Sequence, residues 1–493
     1  MGLVLGLALG LSTGASSFAV GARGRATPSL RRASAVQDPS DLLEGLELRL
    51  VAEVADGCAL SADVAGRPVI GTAAGVLRLA GPRGEALAVA MPGDGPVRAV
   101  LDLGSRVVVQ RGEALHAWER ATNSWGDPLP GQGHLVLLPD GRVATFAHGT
   151  LSDPTTTPTT PLTEPGRAAR LLVEVTGRVH AVELDEAGGP RARSGLWGLP
   201  LPTAAEPAHD TLEPRALLYR SAALDDPMHA LDGALLVLTR GRPGLTALLP
   251  APDGCSRAWS GTTLWSTGPA LVDLAAGPDG EVLVLDQAGG VRRLAAAGLE
   301  PLPPLEPRAE GPAEAPFAPA LEALASPSPA ARGLALDRLL AAGDAGLQAL
   351  RRATAHPRPV SAARPLWNLA RSGPPVAGFV EQLLHREEPA LRGAALAALL
   401  TADALSPAAL TLTCADDEAC IRALAAPQVP SLGWPGGLAA LDALVARWSE
   451  TDRLESAALR RATLAAESLD PNWWRTLPTA PAARARALWD STR

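Results

Sequence analysis

The sequence predicts a multidomain β + α chain, with short pleated units in front and helical pairs behind. Three observations carry that reading. From Leu46 to about residue 300, short apolar runs alternate with period two and are punctuated by Gly and Asp-Gly. From Ser326 to Pro427, a unit of about 30 residues recurs with apolar positions at helical spacing. Between the two, the proline-rich stretch 301–319 continues neither pattern.

The helical repeat is read from register. Pro329-Ala-Ala-Arg332-Gly-Leu-Ala-Leu336 lies over Pro389-Ala-Leu-Arg392-Gly-Ala-Ala-Leu396, an offset of 60, and half of that offset lands on Pro359 and Ala362. A further step of 30 lands on Ala419-Cys-Ile-Arg422. Leu334, Leu336, Leu339 and Leu340 recur as Leu366 and Leu369 and as Leu396, Leu399 and Leu400, one face of a second helix in each unit. Prolines mark the turn before that helix, where a missing N–H costs nothing. Such a unit cannot bury its own apolar face, so an α-solenoid of stacked neighbours is expected. Arg332, Arg392 and Arg422 share one slot, and the resemblance of these units to HEAT repeats implies that they line one edge of the array as an Arg ladder, either open to a ligand or paired with carboxylates such as Asp416 or Glu388; Ala362 interrupts it. Glu455–Arg460 would belong to a fifth unit, displaced by a Pro/Gly insertion.

The pleated part opens on Leu46–Val54, which alternates as a half-buried strand does and can close a ring by joining its last unit. Later runs include Gly75-Val-Leu-Arg-Leu, Arg106-Val-Val-Val-Gln and Gly177-Arg-Val-His-Ala-Val-Glu-Leu184. One phrase recurs: Pro139-Asp-Gly-Arg-Val-Ala-Thr-Phe146 and Pro278-Asp-Gly-Glu-Val-Leu-Val-Leu-Asp286, a tight turn followed by an apolar strand. Regular strand-plus-turn units over 46–300 favour radial repetition, a β-propeller of about five to seven four-stranded blades, over a β-sandwich pair.

The expected organisation is a signal peptide at 1–22, a tether at 23–41, the β-propeller at 42–300, a Pro-rich linker at 301–319 and HEAT-like α-helical repeats at 320–493. The first eleven residues are apolar and Ala19-Val-Gly-Ala22 suits cleavage, which predicts a periplasmic or secreted protein that meets a membrane only through an uncleaved N-terminus. The net charge of −8 and the lack of a basic run with interleaved aromatics exclude a nucleic-acid partner. Four cysteines, Cys58, Cys255, Cys414 and Cys420, are too dispersed for a zinc site. Cys414 and Cys420 flank a tight turn at a spacing that allows a disulfide; two small apolar residues in a buried seam are the other reading.

The helical units resemble HEAT repeats, and the Pro-Asp-Gly strands look like NHL and sugar-dehydrogenase-like propeller blades. Their order is similar to that of exported bacterial membrane-bound dehydrogenase proteins, in which a quinoprotein-like propeller precedes HEAT repeats and a cytochrome c part. The haem signature Cys-x-x-Cys-His is missing from this chain. The resemblance implies a pyrroloquinoline quinone and calcium site with a His base, yet none of His116, His134, His148, His180, His209 and His229 matches the family's catalytic His, and Asp225-Asp226 reads as a solvated turn before Pro227 ahead of a calcium site. No nucleophile elbow, phosphate loop or HExxH helix is present. The sequence therefore favours a non-catalytic interaction scaffold with a protein partner and no cofactor, and leaves a quinone-cofactor oxidoreductase without its own haem as the alternative.

Overall fold

In the computed structural model, the described residues are 46–296 and 317–469, apart from breaks at 55, 81–85, 148–149, 153–159, 162–169, 175–176, 186–188, 198–213, 220–230, 232, 240–243, 254–255, 266–269, 279, 357–358, 433–435 and 449–452. The segments 1–22, 23–41 and 301–316 lie outside them, and with them the expected signal, tether and most of the linker.

The alternating runs become antiparallel sheets, six among the described residues, each beginning with a strand that faces a common axis. Those first strands are β2 (Gly57–Ala62), β6 (Val97–Asp102), β11 (His134–Leu137), β15 (Arg170–Val173), β18 (Pro214–Tyr219) and β22 (Leu271–Ala276). Each packs beside the next, and β22 packs back on β2, so the sheets form a closed six-bladed propeller. Closure is completed by β1 (Leu46–Glu53), which adds as outermost strand to β24 (Gly290–Ala296) of the last blade, with Leu48 opposite Leu294. The two chain ends of the ring thus share one sheet, which ties the last blade to the start of the ring.

Second strands are covered on both faces by neighbouring blades, so they read as continuous apolar runs. In β19 (Leu235–Thr239) and β23 (Val282–Asp286), every residue is buried. The turn from first to second strand repeats around the ring. Leu138 N–H donates to Arg142 O and Gly141 N–H to Leu138 O, and Glu174, Arg178 and Gly177 do the same, as do Asp63, Arg67 and Gly66. The middle of the turn has a positive φ, 84° at Gly141, which accounts for the recurring Asp-Gly.

The C-terminal part holds eleven α-helices among the described residues: α1 (Ala318–Leu324), α2 (Pro329–Ala341), α3 (Asp344–Ala353), α4 (Pro359–Ala363), α5 (Leu366–Arg371), α6 (Pro374–Gln382), α7 (Pro389–Thr401), α8 (Pro407–Cys414), α9 (Ala419–Ala425), α10 (Gly436–Arg447) and α11 (Arg453–Leu469). Pro opens α2, α4 and α7, as the repeat register expects, and also α6 and α8. Their facing sides share one apolar core, from Leu324 and Leu339 through Trp367 and Leu396 to Leu424, Leu444 and Leu459.

Propeller and helices belong to one compact unit, Pro39–Arg493. The helices cover the face of the ring that carries the first-to-second strand turns. Ser326 Oγ donates to Pro278 O at 2.7 Å, Ser105 Oγ donates to Asp337, and Trp197 meets Trp367 edge to face at 5.9 Å. Of the leucines read as a single helical face, Leu334 and Leu336 lie against Gly104 and Gly141 of the ring, Leu336 packing on the helical core as well. Leu339 is fully buried in the helical core and Leu340 is exposed. Backbones approach so closely that a Cβ on Gly333 would stand 2.3 Å from Leu103 O.

Candidate functional site

The first strands enclose a cavity of about 280 Å³ on the ring axis. Alternation decides which side chains reach it. All three strands contribute lining residues: Ala99 and Leu101, Leu135 and Leu137, and Arg170 and Leu172 are half-buried, whereas Val100, Val136 and Leu171 between them are more deeply buried. Asp273, Glu174 and Ser61 add polar groups to these apolar walls.

One end of the cavity is formed by the helical part, through Pro327, Pro329, Arg332 and Arg364. Ser328 caps α2 by accepting from Ala331 N–H, which sets the loop 326–329 across the channel. Arg332 Nη1 donates to Ser326 O at 2.9 Å and to Pro327 O. Arg364, itself 8% exposed, donates to Leu324 O and, at 2.9 Å, to the same Ser326 O. Burial pulls the Arg332 pKa down to about 10, although part of its surface remains accessible where it lines this cavity and a smaller one of about 80 Å³ beneath Leu336 and Pro139.

The three arginines of the shared slot occupy equivalent places. Arg392 Nη1 donates to Arg386 O and Glu387 O, and Arg422 Nη1 to Asp416 O and Asp417 O, each six and five residues back, as in Arg332. Arg392 also holds Asp416 with two bonds of 2.8 and 2.9 Å, and Arg422 Nε donates to buried Glu455 at 2.6 Å. Among the described residues, no carboxylate pairs with Arg332.

Next to the cavity, Glu174 enters a buried chain that sequence reasoning missed. His180 lies between Glu174 Oε1, 2.7 Å from Nε2, and Ser194 Oγ, 2.8 Å from Nδ1; Trp259 Nε1 donates to Ser194 Oγ at 3.0 Å. His180 is fully buried on β16 (Arg178–Leu184), and Trp259 comes from β21 (Ser256–Trp265) of the neighbouring blade. The chain therefore ties two blades together and fixes one carboxylate at the cavity wall. A period-two reading of His180-Ala-Val places the histidine on one strand face, but its partners come from separate strands.

The other candidates are dispersed. His134, at the far end of β11, is desolvated and sits near Arg170 and Arg98, which together lower its pKa to about 3 and keep it neutral. Buried His116 meets Trp125 edge to face, and burial followed by Arg111 lowers its pKa. His148, His209, His229, Asp225, Asp226 and Cys255 lie outside the described residues. Cys414 and Cys420 are not bridged to each other, although their spacing allowed it. Cys414 is buried in the helical core, where burial pushes its thiol up to about 12, while Cys420 faces the propeller and receives Arg178 Nη2 at 3.6 Å. Cys58 is held to Gly71 O and Val97 O through its sulfur.

No protein-family model and no curated protein matches the chain. Similar solved structures each cover about half of the chain. An oxidoreductase (glucose dehydrogenase) from Thermus thermophilus is 17% identical and covers 51% of this chain and 100% of its own, at a TM-score of 0.38. The PQQ domain of pyranose dehydrogenase from Coprinopsis cinerea is 11% identical over 51% of this chain and 95% of its own, at 0.35. A streptogramin B lyase is 11% identical over 51% and 97%, at 0.32. The six-bladed architecture stands on the strand pairing itself, independently of these superpositions.

Proposed function

We propose that the protein is a small-molecule-binding propeller whose axial chamber is capped by a HEAT-like helical array. One observation carries the reading: apolar walls with a few convergent charged groups enclose a cavity at the ring axis, and residues of the helical part complete it. An interaction scaffold alone leaves that arrangement without a role, since the helical face that a protein partner would use is partly spent on the ring. The remaining helical surface is still the place for such a partner.

The quinone-cofactor oxidoreductase reading shares the same chamber. Arg170, Arg332 and Arg364 suit the anionic end of a polycarboxylate cofactor. The calcium end does not fit. Asp273 is engaged by the N–H groups of Leu60 and Leu274, Glu174 is engaged by His180, and no group of three metal-ligating side chains gathers among the described residues. Binding is therefore proposed without a redox step. Export, if the first 22 residues act as a signal, places the chamber in the periplasm or outside the cell.

The test is native mass spectrometry of purified protein beside Ala99→Trp, which fills the channel from its wall. A small molecule that accompanies the unmodified protein and is lost from a folded variant is the expected result. Equal occupancy in both proteins sinks the reading.

A further inference from the structure

Three arginines with one place in the helical units end differently, and the difference falls at the chamber. Asp416 stands 24 residues beyond Arg392 and takes its guanidinium in two bonds; the same step from Arg332 reaches His356. Arg422 finds Glu455. Arg332 keeps only its two carbonyl bonds, and its Nε and Nη2 nitrogens have no partner among the described residues. It shares Ser326 O with Arg364, so two guanidinium groups adjoin the same end of the cavity.

We propose that Arg332 anchors the carboxylate of a small molecule held in the propeller channel, in the role that Asp416 and Glu455 play for Arg392 and Arg422. A planar guanidinium with its Nε–Nη2 edge unpaired matches a carboxylate in geometry as well as charge, and desolvation strengthens the pairing. Leu101, Leu135, Leu137 and Leu172 line the remainder of the chamber and receive an apolar body. The ligand class is accordingly a small carboxylic acid with one apolar end. This inference rests on the chamber reading and specifies its ligand.

Calorimetric titration with benzoate, phenylpropanoate, benzamide and inorganic phosphate tests it. The carboxylates are expected to bind the unmodified protein, with affinity falling about tenfold or more in Arg332→Gln and less in Arg332→Lys, which keeps a charge but loses the fork. Arg352→Gln, at an exposed position, is the control and leaves binding unchanged. The assignment is overturned if neither carboxylate binds, if Arg332→Gln binds them equally, or if phosphate binds more tightly than either. Should benzamide match benzoate and both be lost in Ala99→Trp, the anchor fails while the chamber stands. If Arg332→Gln does not fold, Arg332→Lys alone decides: unchanged affinities for benzoate and benzamide alike refute the anchor.

Discussion

Arg371 on α5 donates Nη1 to Asp140 Oδ2 at 2.8 Å, and the same oxygen accepts Arg142 Nε at 2.7 Å. Asp140 belongs to the Pro-Asp-Gly turn of the third blade and is buried, so a turn residue of the ring is also a latch for the helical cap. Arg371 is partly exposed and leaves Arg142 behind when removed. Arg371→Ala should cost about 1 kcal/mol or less, and Asp140→Ala about 2 to 3, because it also strands the turn and both guanidinium groups. Denaturant unfolding of the single and double variants checks this, and near-additive costs would show that the latch contributes nothing of its own.

Gly333 is required by the backbone it touches. A Cβ there would meet Leu103 O at 2.3 Å, and a carbonyl inside a strand turn cannot step aside as a flexible side-chain end can. Gly333→Ala is expected to destabilise by about 1 to 3 kcal/mol through overpacking, even though Ala favours helix. Limited proteolysis should then release helical fragments earlier than in the unmodified protein. Unchanged resistance would contradict the close packing.

Asp102 and His134 give the stability opposite dependences on pH. Burial raises the Asp102 carboxyl to about 6 despite Arg120, so the folded state holds this proton more firmly than the unfolded state. Its contribution therefore declines as pH rises from about 4 to 6 and is flat above. His134 is lowered to about 3, so its contribution is present above about pH 6.5 and is lost as pH falls towards 3. Comparing pH profiles of Asp102→Asn and His134→Gln separates the two. The imidazole signals of His134 should remain those of a neutral ring at pH 5.

Cys414 should resist alkylation in the native protein, since its thiol is buried and its thiolate is disfavoured. Mass spectrometry after brief treatment with iodoacetamide reads the outcome. Rapid labelling of Cys414 would mean that the end of α8 is open to solvent.

Much of the fold was legible because its signals are local. Alternation in Gly177–Leu184, the Pro-Asp-Gly turns and the 30-residue register of Pro329, Pro359 and Pro389 report on hydrogen bonding and burial within a few residues of themselves. Ring closure through Leu46–Glu53 was legible for the same reason, since an unpaired alternating strand needs an edge. The candidate site was only half visible. The shared slot of Arg332, Arg392 and Arg422 appears in the register, and the exchange of Asp416 for His356 was there to be read as well.

By itself, then, the sequence determined the order of pleated and helical parts, the turn chemistry and the place of the arginines within their units, because each depends on neighbours along the chain. Only the tertiary structure decided that there are six blades, that the helices cap the ring, and that Arg332 with Arg364 faces the axial cavity. It also separated Cys414 from Cys420, turning one inward and the other towards Arg178. The physical reason is distance along the chain: Asp140 meets Arg371, and Leu172 and Arg332 come to line one cavity, through packing between surfaces whose shapes no local pattern encodes.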